Sequence, residues 1–251
     1  MAEQNAELLR RAEDLRARCE KDSSVTHTLF LTPAEQYALT VWSKNRAECS
    51  LLFLGGKEGA DRKAGFFLPF WFDPELSDPS EDVIRAVKVK AFFGTPGHRD
   101  YLGSALALGI RREWLGDIII EGDTAFIICL ASVVPVLAEL DHVGRWGVKA
   151  VEIPLSEVPE IKVETRTVTF TVQSSRFDTI VGAMFGMSRT AAARLIQGGL
   201  AQLNYTECIK LDAEVHEGDV ISLRGYGKGF LSGTGGKSRK GRTFLTAEIF
   251  K

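Results

Sequence analysis

The sequence predicts an α+β protein in three parts: a helical and β N-terminal region (1–75), a βαββαβ middle (76–160) and a basic, β-rich C-terminal unit (161–251). Two patterns and one imbalance predict it. Apolar residues recur at helical spacing near the start, after residue 101, after residue 132 and twice between 177 and 197. Short runs with period-two alternation lie between those stretches. Residues 162–251 carry 13 Lys+Arg against 8 Asp+Glu, a net of +5, whereas 1–161 carries a net of −7. An acidic front and a basic back point to modules with different partners, and a basic module can hold phosphate although the whole chain is at −2.

Composition excludes several classes. The chain has 251 residues, 45% of them hydrophobic and 25% charged, which is neither disordered nor collagen-like. No apolar run approaches the ~18–20 residues of a membrane span. The charged opening stretch does not read as a secretory leader, so a cytoplasmic protein without membrane partners is expected. Cys19, Cys49, Cys129 and Cys208 lie far apart with no CxxC pair, as in a reducing compartment. The four histidines are dispersed without an HExxH pattern, so neither a metal nor another cofactor is expected.

The elements follow in order. Residues 3–21 read as a charged helix with a thin apolar stripe of Leu8, Leu9, Ala12 and Leu15. A second helix starts at Pro33, with Thr32 and Glu35 spaced as a capping box. Cys49–Leu54 and Gly65–Phe72 read as a hairpin-like pair. In the middle, 83–93 alternates as a strand, 101–109 is helical, and 117–121 and 124–130 are strands around a turn at Gly122. A helix over 132–143, with Pro135 tolerated in its first turn, and a strand over 148–155 complete a ferredoxin-like order. RNA-recognition motifs share that order but place aromatics on their central strands, where only Phe126 stands here.

After a linker at 154–159, Thr167–Val172 alternates strictly, as a strand with one wet face. Phe177, Ile180, Val181, Met184 and Phe185 mark a helix, with Ser175 as its expected cap. Ser188 caps the next helix, which Gly198 and Gly199 end. Its apolar face is Ala191, Ala192, Leu195 and Ile196. Its opposite side carries Arg189, Thr190, Arg194 and Gln197.

The ordered set Arg176-Phe177-Asp178, Ser188-Arg189, Leu195-Ile196, Gly199, Leu203-Asn204 and Gly218-Asp219-Val220-Ile221 resembles the S4 (alpha-L) RNA-binding domain over roughly residues 176–224. A helix N-terminus beside an Arg suits phosphate. The RNA-contact candidates are Arg176, Ser188, Arg189, Thr190, Arg194, Gln197, Asn204, Lys210 and Lys228. The bland alternatives are a solvated face for Arg189 and Arg194, a cap or internal ion pair for Asp178, and a turn for Asn204. His98, Arg99, Arg111 and Arg112 flank the 101–109 helix, either as a second RNA surface or as braces and caps of the domain.

The chain as a whole resembles the YlmH family of bacterial S4-domain proteins. The residues that carry this are His27–Pro33, Asp61-Arg62-Lys63, Gly97–Gly103, Gly109–Glu113, Gly116-Asp117-Ile118 and Arg224–Lys228. The resemblance implies a non-enzymatic binder of rRNA and tRNA on large ribosomal subunits with stranded peptidyl-tRNA. It also brings a link to cell-division gene clusters, and hence to division proteins as partners. A photosystem-associated S4 family shares the architecture. The chain departs from the common pattern at Phe177 and Ala201, both still apolar, and at Tyr205, where Gly is common.

Gly233–Ser238 ends like a phosphate-binding loop but has Leu231 where that pattern needs Gly. A mobile basic loop of Lys228, Lys237, Arg239, Lys240 and Arg242 is the expectation instead. Two rival functions are an RNA-modifying enzyme or its accessory, of the pseudouridine synthase kind, and a division scaffold. Residues 1–161 show neither a catalytic Asp motif nor a Gly-rich cofactor loop.

Overall fold

The computed structural model describes residues 2–44, 46, 50–238 and 241–250, with side chains from residue 5 onward. The chain divides into two compact units, 1–162 and 163–251.

The first unit opens with α1 (Ala2–Asp22), whose apolar stripe packs Ala12 and Cys19 against Leu31, Leu39 and Phe67. β1 (Thr26–Leu31) follows, a strand that periodicity did not reveal. α2 (Pro33–Ser43) starts at the expected capping box: the Glu35 carboxylate accepts from Thr32 N at 2.7 Å, and Thr32 Oγ1 accepts from Glu35 N at 3.3 Å. β2 (Ser50–Leu54) and β3 (Lys63–Leu68) pair antiparallel, giving the order β1-β3-β2. Cys49, expected at the start of this hairpin, lies outside the described residues. The expected strand over 65–72 stops at Leu68 because Pro69 has no N–H to donate.

The rest of the unit runs β4 (Ile84–Ala91), α3 (His98–Ala107), β5 (Leu115–Glu121), β6 (Thr124–Leu130), α4 (Val134–Ala138), β7 (His142–Val143) and β8 (Trp146–Ile153). The sheet order is β5-β6-β4-β8-β7, antiparallel throughout. Gly122, at φ +59°, makes the two-residue turn between β5 and β6. β4 is buried on both faces. Val87 and Val89 pack with Tyr101 and Leu137 of the helical layer. Ile84 and Ala86 pack with Phe30, Phe66 and Leu68 of the three-stranded sheet. The 1–75 and 76–160 segments thus share a core.

The helix expected over 132–143 is only a 3₁₀ turn plus the five residues of α4. The chain then turns through Gly144, at φ +58°, so that His142 and Val143 pair with Gly147 and Trp146. Leu140 prolonged the helical pattern because it is buried from that turn, at 6% exposure.

Arg62 straps the two sheets. Its Nε donates to Leu115 O (3.1 Å) and its Nη2 to Phe30 O (2.9 Å). Asp117 accepts from the backbone N–H groups of Asp61 (2.6 Å) and Arg62 (3.3 Å).

The second unit holds β9 (Thr165–Val172), α5 (Phe177–Met184), α6 (Arg189–Gln197), β10 (Ala201–Leu203), β11 (Thr206–Glu207), β12 (Val220–Leu223), β13 (Gly227–Lys237) and β14 (Thr243–Phe250). Its strands order β11-β10-β12-β13-β14-β9. Phe177, Ile180, Val181 and Ile196 pack on Val172, Ile221, Leu231 and Ala247. Ser175 does not cap α5. The first N–H groups of that helix donate instead to Ala213 O (2.8 Å, from Phe177) and Leu211 O (3.0 Å, from Asp178). The expected basic loop is also corrected. Lys228 and Lys237 lie in β13, where Gly233 pairs with Thr246 and Lys237 with Thr243, so this backbone forms a ladder. Arg239 and Lys240 lie outside the described residues.

Arg62→Ala should destabilise the first unit by about 1.5–3 kcal/mol, since Phe30 O loses its charged donor while Leu115 O keeps the Arg112 guanidinium. A lowered thermal midpoint at unchanged far-UV circular dichroism is the expected result.

Candidate nucleic-acid interface

The basic face of α6 is organised from beneath by an acid. Asp178, in the first turn of α5, is buried, its side chain 4% exposed. Its Oδ1 accepts from Arg176 Nε at 3.2 Å and its Oδ2 from Arg189 at 2.9 Å. The Arg189 side chain is nonetheless 60% exposed. Burial pushes the Asp178 carboxyl up, but hydrogen bonds from Arg176 and Arg189 outweigh burial and hold it below the usual carboxylate range. Each guanidinium has five donors, so an Arg held by one edge still presents N–H groups outward.

Around this clamp, Ser188 Oγ accepts from Ala191 N at 3.2 Å and starts α6. Thr190, Arg194 and Gln197 are exposed one turn apart, while Ala192 and Ile196 are buried beneath them. The structure therefore groups Arg176, Ser188, Arg189, Thr190, Arg194 and Gln197.

Three candidates stand apart from this helix. Asn204 is buried, with φ +49°. Its Nδ2 donates to Asp219 Oδ1 (2.8 Å) and its Oδ1 accepts from Val220 N (2.9 Å), which makes it a turn residue. Lys228 Nζ lies 5.1 Å from the Tyr205 ring centroid and 5.0 Å from that of Phe250. The bulk at Tyr205, where Gly is common, is a seat for that ammonium. Lys210 is exposed on the segment before β12.

The four basic residues around α3 are not brought to one surface. His98 and Arg99 are exposed in the first turn, where Asp100 caps the helix by accepting from Gly97 N at 2.8 Å. The Arg111 guanidinium stacks 4.5 Å from the Trp114 ring centroid and pairs with Glu113 at 3.3 Å. Arg112 turns inward. Its Nη1 donates to Leu115 O (2.7 Å) and Gly116 O (3.0 Å). Burial, then the neighbouring Arg62, pushes its pKa down to about 10. Arg62 and Arg112 line a cavity of about 660 Å³ with Leu8, Leu15, Phe30 and Glu35.

Sequence reading missed one surface feature. Phe92 and Phe93, read as the end of a strand, stand past β4 at 62% and 83% exposure. Two adjacent phenylalanines after a lysine-bearing strand were the available signal. Among the described residues, no group of three or more His, Cys, Asp or Glu is placed to hold a metal ion.

Comparison with known proteins bears on the family of the chain and, within it, on residues 81–157 rather than on the α6 face. The family model YlmH_RBD, described as "Putative RNA-binding domain in YlmH", matches residues 81–157. The chain is 32% identical over 224 residues to "Ribosome-associated protein quality control protein P2" of Bacillus subtilis (strain 168), covering 88% of this chain and 86% of that protein. The solved structure of "Cell division protein ylmH from Streptococcus pneumoniae" is similar at a TM-score of 0.53 and 20% identity, covering 61% of this chain and 93% of that one. That last likeness bears on fold alone.

Asp178→Asn should destabilise the second unit by about 1–3 kcal/mol through loss of charge-assisted hydrogen bonds. In the native chain this stability is fully present above the ordinary carboxyl value of 3.8 and fades as pH falls through the lower folded value. Thermal midpoints at pH 7 and pH 3 should therefore converge between the two proteins at the lower pH.

Proposed function

The chain belongs to the YlmH family, and from that premise we propose that it is a non-enzymatic, ribosome-associated RNA-binding protein. Its basic α6 face grips rRNA and tRNA of the large subunit, in quality control of stalled peptidyl-tRNA. The observation that carries this reading is the Arg176–Asp178–Arg189 clamp with Arg194 exposed one turn beyond. Phosphate contacts of this kind give affinity and register without base choice, as suits a shaped RNA.

The second unit is read as an S4 domain. Its short helix pair, α5 and α6, precedes a Gly-turned sheet, in the order the sequence motifs follow. The middle of the first unit is read as ferredoxin-like: the order β5-β6-β4-β8 is that of a βαββαβ unit, with β7 added at one edge. No helix among the described residues is long and apolar enough to cross a membrane, and a cytoplasmic location fits a ribosome partner.

The protein-docking reading has an observation of its own. The 69–83 segment exposes Phe70 (93%), Trp71 (56%) and Leu76 (82%) among Asp73, Glu75, Asp78, Glu81 and Asp82. An acidic, apolar loop suits a basic protein partner, a division protein included, and does not suit RNA.

The test must spare Arg189, because a glutamate there would face the buried Asp178 and unfold the clamp. Thr190→Glu with Arg194→Glu changes only exposed positions. In a sucrose gradient of cell lysate the native protein should comigrate with large subunits and the double variant should stay at the top. In RNA titrations the variant's log–log salt slope should be shallower by about 1 for the lost phosphate contact. Native sedimentation and native slope in the variant would remove α6 from the interface.

A further inference from the structure

The five-stranded sheet has one face that is covered for only part of its length. Along β4, Ile84, Ala86, Lys88 and Lys90 point to the same side. Ile84 and Ala86 lie under the three-stranded sheet with Ile128, Leu130 and Ile153. Beyond them the face emerges. Lys88 Nζ sits 5.8 Å from the Phe126 ring centroid. Its register partner on β8 is Val151, 47% exposed. Lys90 is directly opposite Lys149, and both are exposed. Phe92 continues the row at 62% exposure, its backbone N–H donating to Gly147 O at 3.0 Å.

Two features of this row work against the isolated protein. Like charges directly opposite on a sheet destabilise the pair. An exposed Phe beside an exposed Val leaves apolar area wet. Both are resolved by a ligand that is flat and anionic. The acids nearby are engaged or peripheral: Asp123 accepts from Thr124 Oγ1 at 2.8 Å and faces Lys90 at 3.8 Å, while Glu121 is on the edge strand β5. The Phe92–Gly94 turn is also held. Gly94 has φ +77°, and a Cβ there would fall 2.3 Å from Trp146 Nε1, so the backbone lies flat on the indole.

We infer that this open end of the sheet, built from Lys88, Lys90, Phe92, Lys149 and Val151, is a binding site for unpaired RNA nucleotides. A base stacks on Phe92 and its flanking phosphates meet Lys90 and Lys149. The inference rests on the RNA-binding reading and lies within residues 81–157, which the family description gives as an RNA-binding domain; it adds the face that makes the contact, separate from α6, and the choice of unpaired over paired RNA. It differs from the surface expected around α3, since Arg111 and Arg112 take no part.

The experiment uses the full chain and two fluorescein-labelled RNAs, a single-stranded dodecamer and a duplex of the same length, read by anisotropy. Phe92→Ala should weaken the single strand about tenfold and leave the duplex unchanged, and Phe92→Trp should restore the affinity. Lys90→Ala with Lys149→Ala should weaken both RNAs and flatten the salt slope by about 2, with a thermal midpoint close to native because the relieved repulsion and the lost exposed Lys90–Asp123 pair are both small. Native affinity in F92A and in K90A/K149A, while T190E/R194E loses RNA, overturns this site and leaves the α6 reading standing. Failure of the native chain to bind either RNA overturns both. Loss of binding to anionic lipid vesicles in F92A, with RNA affinity untouched, would assign the face to a membrane surface and overturn the site as well.

Discussion

Strand β4 is buried on both sides, and most of the first unit is arranged around that fact. Val87 and Val89 on one face, and Ile84 and Ala86 on the other, are all at 0% exposure. A strand covered on both faces along its whole length reads as nearly continuous apolar sequence, whereas β4 carries Lys88 and Lys90 where the cover on one face ends. The consequence reaches function. A βαββαβ sheet with one bare face offers a wide platform to RNA, but here the three-stranded sheet covers much of that face, with α1 packed on its far side. What is left for a nucleic acid is the rim and the uncovered end past Lys88. The covering layer also explains why an Arg lies between the sheets. Arg62 lies in the seam where the two sheets meet and donates to one backbone carbonyl of each, Phe30 O and Leu115 O.

Arg112 shows where sequence reading reaches its limit. The β5–β6 register shifts between Leu115 and Ile118, and such an irregularity frees ladder groups on the bulged strand. The carbonyls of Leu115 and Gly116 then accept from Arg112. Nothing local marks this: an Arg just past a helix looks like a solvated end group, and its burial depends on a register set by another strand. β1 was missed for a related reason. Thr26–Leu31 has no polar–apolar alternation, since it lies between α1 and β3 and takes its pairing from a segment more than thirty residues away. By contrast, the caps at Thr32 and Ser188, the Gly122 turn and the apolar stripe of α6 involve neighbours within four residues, and those were legible. The clamp falls between these cases. Asp178 was readable as an ion-pair partner of Arg176, two positions away, whereas its bond to Arg189 depends on how α5 packs against α6.

An acid beneath a basic surface looks counterproductive when charges are merely counted. It lowers the local net charge of the α6 face by one and contributes nothing to long-range attraction. Its contribution is order. A free Arg side chain gives up roughly 1.5–2 kcal/mol of rotamer entropy when a ligand immobilises it. In this chain Asp178 has already fixed Arg176 and Arg189 on folding, so on the proposed reading part of that cost is met before a ligand binds. The same logic holds at the other unit, where a positive-φ glycine on an indole fixes the turn that carries Phe92. Both surfaces spend folding stability, as a desolvated carboxylate in one and opposed lysines in the other, to present groups in a set geometry. A whole-chain charge of −2 therefore says little about RNA affinity. On the proposed reading what matters is whether a few cations and one ring are held in a set geometry, and in each unit the fold holds them from beneath.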